Sequence, residues 1–185
     1  MSRYNVAIFL LFLTAIGLWR WFDNSDAQTA DVNSLYQPAF IATDLITRHY
    51  AANGALMQTL LTDKAEHYNQ LNSTELTRPR IITKNRQGGD QWQLTGDKGV
   101  LNDNDSALLR NHVELRYLGE NPIVQQMTTD YLEMDFAKQQ VRTNLSVEIT
   151  GPGFTNRGTG LLAELQAEKY QLLSNSHARY FNPSR

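Results

Sequence analysis

The sequence contains no cysteine, so disulfide bonds and thiolate-bound metal ions are excluded, although this absence does not fix the cellular compartment. It also lacks an excess of positive charge. The formal net charge is −2 for all 185 residues, and residues 23–185 hold 15 basic and 19 acidic side chains, a net charge of −4. A chain of this charge is not expected to bind nucleic acid.

The signatures of common catalytic and cofactor sites are missing as well. The sequence has no phosphate-binding loop, nucleophile elbow or dinucleotide fingerprint, and no pair of carboxylates stands out for glycoside chemistry. Asp103 and Asp105 suit a solvated turn better than a calcium loop, because no bidentate acid closes the loop. The histidines lack metal-ligand spacing and are assigned structural roles: His49, His67, His112 and His177. We therefore predict no catalytic residue, metal, cofactor or enzyme activity.

The segment near the N-terminus is apolar. Residues 4–22 make a stretch of 19 residues whose only charge is Arg20. As a helix it would span roughly 28 Å, close to the hydrocarbon thickness of a bilayer. Tyr4 and Trp19 would lie at the two interfaces. We predict a retained membrane anchor, and a cleaved signal peptide is the alternative because residues 25–27 have a small-x-small form.

Domain organisation follows from this segment. Residues 1–22 are predicted to be the anchor, residues 23–38 a polar tether without periodicity, and residues 39–185 one domain. Either interpretation of the first segment exports the domain. With the N-terminus in the cytoplasm, a bacterial protein of this design is a single-pass inner-membrane protein whose domain lies in the periplasm.

A motif recurs four times in residues 39–185. Asp63, Asp97, Asp130 and Ala163 occupy its equivalent positions, 34, 33 and 33 residues apart, and such a period is typical of repeating architecture. In each copy small or apolar residues alternate, a three-residue step reverses the phase, and alternation resumes. The four sets are Leu60, Thr62, Ala65 and His67; Leu94, Gly96, Gly99 and Leu101; Met127, Thr129, Leu132 and Met134; and Gly160, Leu162, Leu165 and Ala167. Because a strand absorbs such a step in a β-bulge, each copy is predicted to be a bent strand.

A second strand is predicted after the bent strand, because its side chains alternate with a period of two. In the second copy the inward positions are Leu109, Asn111, Val113, Leu115 and Tyr117, and the outward positions are Arg110, His112, Glu114 and Arg116. In the third copy the inward positions are Val141, Thr143, Leu145, Val147 and Ile149. One face of each strand should therefore be buried and the other solvated.

The remaining signals also indicate strands. Asn53-Gly54 predicts a hairpin between a first strand at residues 41–51 and a second at residues 55–68. Residues 161–173 are rich in helix formers, so a helix is the alternative there, but alignment with the earlier copies favours a strand. The domain is predicted to be all-β and built from short antiparallel strands.

On these residues the chain resembles the LptC family, the single-pass inner-membrane component of lipopolysaccharide export. The resemblance rests on the N-terminal span, on Asn53-Gly54-Ala55-Leu56, and on Trp92 to Leu101 (WQLTGDKGVL) leading to His112-Val113-Glu114-Leu115. Thr128-Thr129-Asp130, Gly151 and Gly158 extend it. It covers nearly the whole chain and weakens over residues 163–185.

This resemblance implies a twisted open β-jellyroll whose concave interior shelters acyl chains. Members of the family accept lipopolysaccharide from an ABC transporter complex of LptB, LptF and LptG, and pass it to the periplasmic bridge protein LptA. An open jellyroll leaves unpaired strands at both ends, which can pair with the sheets of partners. The partners expected here are therefore lipopolysaccharide, these proteins and the membrane.

Four groups of residues are assigned roles. The first, called the interior set, is expected to contact lipid, with ordinary core packing as the alternative: Leu94, Leu101, Leu109, Val113, Leu115, Met127, Met134, Val147 and Ile149. The second is expected on the edge that pairs with LptA, within residues 167–180: Ala167, Tyr170, Leu172 and Tyr180. Residues 41–61 are expected to face the transporter. Gly54 and Gly151 are expected to hold backbone conformations that side chains would strain.

Two other classes of function fit the same pattern of strands. The domain could be a membrane-anchored β protein that binds or hydrolyses envelope polysaccharide, which requires a cleft with clustered carboxylates or aromatic rings on the solvated face. It could also be a scaffold that transports nothing and has a fully packed core.

Overall fold

A computed structural model describes residues 37–84, 89–102, 105–120 and 122–181 of the chain. The predicted anchor and nearly all of the predicted tether lie outside the described residues. Within them, no helix has the length and apolar character needed to cross a membrane. The described strands all belong to a compact unit that begins at Pro38.

Strands make up the regular structure of the described residues, and each pairs antiparallel with its neighbours. The eleven strands are β1 (Phe40–Tyr50), β2 (Leu56–Tyr68), β3 (Ser73–Thr77), β4 (Arg80–Lys84), β5 (Asp90–Thr95), β6 (Lys98–Asn102), β7 (Ser106–Tyr117), β8 (Gln126–Asp135), β9 (Gln140–Gly151), β10 (Phe154–Glu164) and β11 (Lys169–Tyr180). The prediction of an all-β domain with antiparallel strands is confirmed.

The long strands bend, so the sheet folds into two leaves that share one corner. The first half of β2 pairs with β4 and its second half with β3, while β7 pairs first with β6 and then with β5. In the first leaf one continuous row of inward side chains crosses six strands through direct pairings: Leu60, Ile81, Leu94, Leu115, Met127 and Ile149. In the second leaf a corresponding row crosses five strands: Ala65, Leu76, Gly99, Leu109 and Leu132. The inner faces of the leaves form the core.

The corner is a line of backbone irregularities that crosses the strands. The partners of β2 change after Leu61, and registers shift between Arg110 and Val113 on β7 and between Arg157 and Thr159 on β10. Positive φ angles at the corner are 51° at Asp44, 49° at Arg78, 61° at Asn111, 49° at His112, 75° at Gly160 and 50° at Asn175. Asn, Asp and His tolerate this region better than most residues, so their presence explains where the strands turn.

Three of the four predicted bends lie at this corner. The first and third copies are single bent strands, β2 and β8, and the second copy breaks into β5 and β6. The fourth copy was placed four residues too late. Leu161 and Ala163 are 1% and 3% exposed, whereas Ala167 is exposed, and the bend of β10 lies between Gly158 and Leu161. Two residues at this bend are glycines. Because glycine has no side chain, the pattern of apolar residues gives no signal of the bend there.

The strand assignment of residues 161–173 is confirmed, with a turn in its middle at residues 165–168. Leu161 and Leu165 are buried on the inner face. As a strand, β10 forms backbone hydrogen bonds with β9, which the same residues could not form as a helix. Tertiary pairing therefore overrides the local helix propensity.

The prediction that Asn111 and Leu145 face inward was wrong. Asn111 is exposed and Leu145 is 42% exposed, because both lie where β7 and β9 bend at the corner. The buried positions of β7 are Ala107, Leu109, Val113 and Leu115. The second strand of this repeat copy is therefore bent, as the first strand is.

The predicted hairpin is confirmed. In its turn the Ala55 amide donates a hydrogen bond to Asn53 Oδ1 across 3.0 Å.

Candidate functional site

The inner faces of the two leaves enclose one apolar core, and the interior set lies in it. Leu109 and Ile149 are 0% exposed, and Met127, the most exposed of the buried members, is 5% exposed. Leu101 is half-buried and packs against the same core. Eight of the nine members are thus buried: Leu94, Leu109, Val113, Leu115, Met127, Met134, Val147 and Ile149. The structure brings the set together on one continuous surface.

At the rim far from the corner, the space between the leaves is filled by protein side chains. Met127 of the first leaf and Ala163 and Leu165 of the second line a crevice with a free volume of about 10 Å³. That volume holds at most one water molecule. In the described state the leaves therefore touch here, as in any close-packed protein interior.

The interior is less well covered at both ends of the sheet. At one end Ala42 and Leu45 on β1 are only partly buried, and Phe40 is 52% exposed. At the other end Leu172 on β11 is partly buried, and Tyr180 is 78% exposed. No further described strand covers these residues, so the apolar core extends to the two edges of the sheet.

The two edge strands also carry most of the exposed large apolar side chains. Among the described residues β1 pairs only with β2, and β11 only with β10, so each has one backbone edge without a strand partner. The exposed side chains on or beside them are Phe40, Ile41, Ile46, Tyr50, Leu173, Tyr180 and Phe181. An apolar strand with a free edge is suited to pairing with another sheet.

The residues predicted for the LptA-facing edge are not all on the edge strand. Tyr170, Leu172 and Tyr180 lie on β11, opposite Ala163, Leu161 and Phe154 of β10. Because directly paired residues share a face, their side chains lie on the inner side of the sheet. Ala167 lies instead in the exposed turn before β11 and is not part of the edge ladder.

A group of hydrogen bonds, called the clasp below, joins the leaves at the rim opposite the corner. The carbonyl oxygen of Leu165 accepts one bond from Gln91 Nε2 at 3.1 Å and one from Trp92 Nε1 at 3.2 Å. Tyr117 Oη donates to Glu168 Oε1 across 3.2 Å. No sequence pattern predicts the clasp, although Trp92 belongs to the motif that carries the family resemblance.

The corner is held by polar contacts on its outer side. The Arg78 amide donates to the carbonyl of Asp97 at 2.9 Å, and the Asp97 amide donates to the carbonyl of Asn111 at 3.0 Å. The Arg78 guanidinium also pairs with the carboxylate of Asp63. These bonds replace the ladder where β3 and β4, and β5 and β6, are interrupted.

Two histidines have visible structural contacts. The His67 ring stacks on Phe40 with centroids 5.0 Å apart, and its Nδ1 lies 3.0 Å from Thr74 Oγ1. His112 Nδ1 lies 2.7 Å from the carboxylate of Asp97. Among the described residues no cluster of histidine and acidic side chains is suited to hold a metal ion.

The two singled-out glycines are needed for different reasons. Gly54 has φ +82° and open space around an added Cβ, so backbone conformation and not space favours glycine there. The expectation that backbone conformation requires glycine was wrong for Gly151, because the positive φ of its turn belongs to Gly153. A Cβ at Gly151 would lie 2.2 Å from the carbonyl oxygen of Ile123 and from Cε1 of Phe154. Close packing therefore excludes side chains at Gly151.

Comparison with known proteins agrees with this architecture. Residues 6–181 match the family model described as "Lipopolysaccharide-assembly, LptC-related". The chain is 23% identical over 175 residues to the lipopolysaccharide export system protein LptC of Escherichia coli K12, covering 95% of this chain and 91% of that protein. LptC of Haemophilus influenzae is 22% identical over 187 residues, covering 90% and 88%.

A solved structure shows a similar fold. It is the crystal structure of LptH from Pseudomonas aeruginosa, titled the LptA-homologous periplasmic component of the conserved lipopolysaccharide transport device. The match has a TM-score of 0.53 and 11% sequence identity, and it covers 66% of this chain and 93% of LptH. The family model spans nearly the whole sequence, and on that ground the chain belongs to the LptC family of lipopolysaccharide-assembly proteins.

Proposed function

We propose that this protein transports lipopolysaccharide and carries its acyl chains in the apolar interior between the two leaves. The observation that carries the proposal is the continuous apolar core, which extends to partly covered residues on β1 at one edge of the sheet and on β11 at the other. Membership in the LptC family supports the choice of lipopolysaccharide as cargo. The protein acts as a carrier and has no enzyme activity of its own.

The interior set supplies the contacts with lipid in this proposal. Each methylene taken out of water contributes about 0.8 kcal/mol, so several acyl chains gain a large free energy inside an apolar groove. The eight buried members touch other protein side chains in the described state. Acyl chains must therefore separate the leaves, and they replace contacts of the same apolar kind.

The two edge strands supply the contacts with proteins. β1 faces the transporter complex of LptB, LptF and LptG, and β11 faces the bridge protein LptA. Pairing of an edge strand with a partner's edge continues both the backbone ladder and the inner apolar row into that partner. The N-terminal segment anchors the protein in the inner membrane, and the β domain works in the periplasm.

The outer surface gives less support to the polysaccharide alternative. A depression of about 600 Å³ at the corner includes one aromatic ring, Tyr131, and one carboxylate, Glu133. That carboxylate already accepts hydrogen bonds from Tyr131 and Arg142. The outer carboxylates Glu114 and Glu148 are likewise paired with arginines. These groups are therefore committed to structural contacts.

Site-specific photocrosslinking in cells tests the proposal. A photoreactive residue at Leu94 or Leu115 should capture lipopolysaccharide, because both side chains lie on the inner face. Gln93 and Glu114 are the matched controls, since each neighbours one of these positions on the outer face of the same strand. Capture from the outer positions alone would refute the assignment of the interior.

A further inference from the structure

The clasp joins the leaves at the end of the strands that is far from the corner. Gln91 and Trp92 lie near the start of β5, whose other end meets the corner at Thr95. Leu165 directly follows β10, which bends between Gly158 and Leu161. At about 3.3 Å per residue, the rim and the corner are separated by roughly 13 Å along each leaf.

The two sides of the molecule are closed in different ways. At the corner the leaves are continuous, because β2, β7, β8, β9 and β10 run through it. At the rim they are joined through the side chains of the clasp, and the carbonyl oxygen of Leu165 takes two of its bonds. Opening the rim therefore costs a few side-chain hydrogen bonds and the apolar contacts behind them, whereas opening the corner disrupts the backbone ladder of the sheet.

Behind the clasp lies the crevice that leads to the core. Trp92, Tyr117 and Val124 line it from the side of the first leaf, and Tyr170 lines it from the second. Its deeper wall is formed by Met127 and Ala163, which belong to the buried core. The crevice is closed in this structure, but its apolar lining runs from the rim to the buried core, so separating the leaves here would open an apolar path to the interior.

The mouth of this crevice is apolar where it meets water. Ile123 lies in the connection between β7 and β8 and is 71% exposed, and it lines the crevice with its neighbours Pro122 and Val124. Lys169 and Glu168 lie on the opposite side of the mouth. The mouth therefore combines an apolar lip with charged groups, an arrangement that suits the junction between an acyl chain and a polar head group.

One feature of the clasp favours its opening. Among the described residues the buried amide oxygen of Gln91 has no hydrogen-bond partner, although the nitrogen of the same amide donates to Leu165. A buried acceptor without a partner destabilises the closed form, because it loses its bonds to water. Opening the rim returns this oxygen to water, so the cost of opening is partly offset.

We infer that the rim held by Gln91, Trp92 and Leu165 is a lateral portal through which the acyl chains of an amphiphile enter and leave the interior. This inference rests on the proposed function and adds the route and the barrier. Sideways entry lets the polar head group stay in water while the chains pass between the leaves. Motion lengthwise through the ends remains available for transfer between proteins whose edges are paired.

A cross-link that bridges the rim tests the portal in the full-length protein. The natural chain has no cysteine, so the pair Tyr117→Cys and Glu168→Cys can be joined by a short bismaleimide. The matched control joins Arg116→Cys to Gln126→Cys, which are register partners within the first leaf. Uptake of radiolabelled lipopolysaccharide is measured before and after bridging, with the reagent also added after loading.

Bridging the rim before loading should lower uptake about tenfold or more, because the fraction of binding-competent protein falls. Bridging after loading should trap the bound lipid and slow its release. The control pair should do neither. Unchanged uptake in the bridged rim, or an equal loss in the control, overturns the portal. Failure of the unbridged protein to bind lipopolysaccharide would instead overturn the proposed function.

A second variant tests the clasp without cross-linking. Trp92→Phe removes one bond to Leu165 while keeping an aromatic ring, and it should speed both uptake and release by about 2- to 10-fold, the equivalent of one net hydrogen bond. Gln93→Ala is the control, since Gln93 lies on the same strand with its side chain on the outer face. Rates in Trp92→Phe that equal those of Gln93→Ala would show that the clasp does not limit passage.

Discussion

His112 Nδ1 lies 2.7 Å from Asp97 Oδ2, and the pair bridges β7 to the break between β5 and β6 at the corner. His112 has φ 49°, so the contact fixes a residue whose backbone is strained. The hydrogen bond with Asp97, then its charge, and more weakly the charge of Asp130 raise the pKa of the His112 imidazole above its ordinary value.

The first prediction concerns the pH dependence of this contact. Because the folded-state pKa lies above the unfolded-state pKa, the stabilisation is complete below about pH 6.5 and is lost as the pH rises through the folded-state pKa. Asp97→Asn should lower the pKa of His112, measured by NMR titration of the imidazole protons. Asp105→Asn, a change in an exposed turn, should leave that titration in place. An unaltered titration in Asp97→Asn would contradict the contact.

The second prediction concerns the inner row of the second leaf. Leu109 is 0% exposed, so Leu109→Ala should lower the free energy of unfolding by about 3 kcal/mol through lost burial and a residual cavity. The neighbouring Leu108 is half-buried and faces outward, so Leu108→Ala should cost about 1 kcal/mol or less. Urea denaturation of the two variants measures the difference. Equal losses would show that the faces of β7 are wrongly assigned.

Much of this fold is predictable from the sequence, because a three-residue step in an alternating pattern reports a bend. Thr62 to Ala65 and Thr129 to Leu132 show that step, and both mark the corner. The bend of β7 gives no such signal. Leu109 and Val113 are four residues apart, an even number, so the period of two continues unbroken across the bend. The pattern therefore predicts that Asn111, midway between them, faces inward. The pairing of β7 with β8, not local pattern, reveals the bend.

The clasp lies beyond the reach of local patterns for a different reason. Gln91 and Leu165 are 74 residues apart, and the acceptor is a backbone carbonyl that carries no mark of residue type. Trp92 was conspicuous in the sequence, but its partner could not be named from it. The interior set, in contrast, follows from alternation alone, since its members are the apolar positions of paired strands.

The third prediction concerns the turn between β1 and β2. Gly54 has φ +82° with no atom within 4 Å of an added Cβ, so strain alone opposes substitution. Gly54→Ala should lower the free energy of unfolding by about 1–2 kcal/mol. Gly54→Asn should cost less, because asparagine tolerates positive φ. Thermal or urea unfolding ranks the variants, and an alanine variant as stable as the natural protein would exclude the conformational role.

The fourth prediction concerns Gly151. An added Cβ would meet the Ile123 carbonyl at 2.2 Å, so Gly151→Ala should displace the connection between β7 and β8 and lower the free energy of unfolding by about 2 kcal/mol. Gly96→Ala is the control, because its Cβ would meet Leu109 at an ordinary 3.4 Å. Equal unfolding midpoints for the two variants would contradict the close approach at Gly151.

The last prediction concerns the two edges, which should serve different partners. Residues 173–180 of β11 are all exposed, whereas Tyr170 and Leu172 pack against the core. A chain that ends after Leu172 should therefore keep its fold, shown by a cooperative unfolding transition, and lose binding to LptA.

The reciprocal variant is Ile41→Lys with Ile46→Lys on β1. Both side chains are more than half exposed, so their replacement removes little buried apolar surface. It should keep LptA and lose the LptB, LptF and LptG complex, as measured by co-purification from membranes. Loss of both partners from either folded variant would refute the assignment of one partner to each edge. An edge strand forms backbone hydrogen bonds only with the sheet beside it, so a change at one edge should leave binding at the other edge intact.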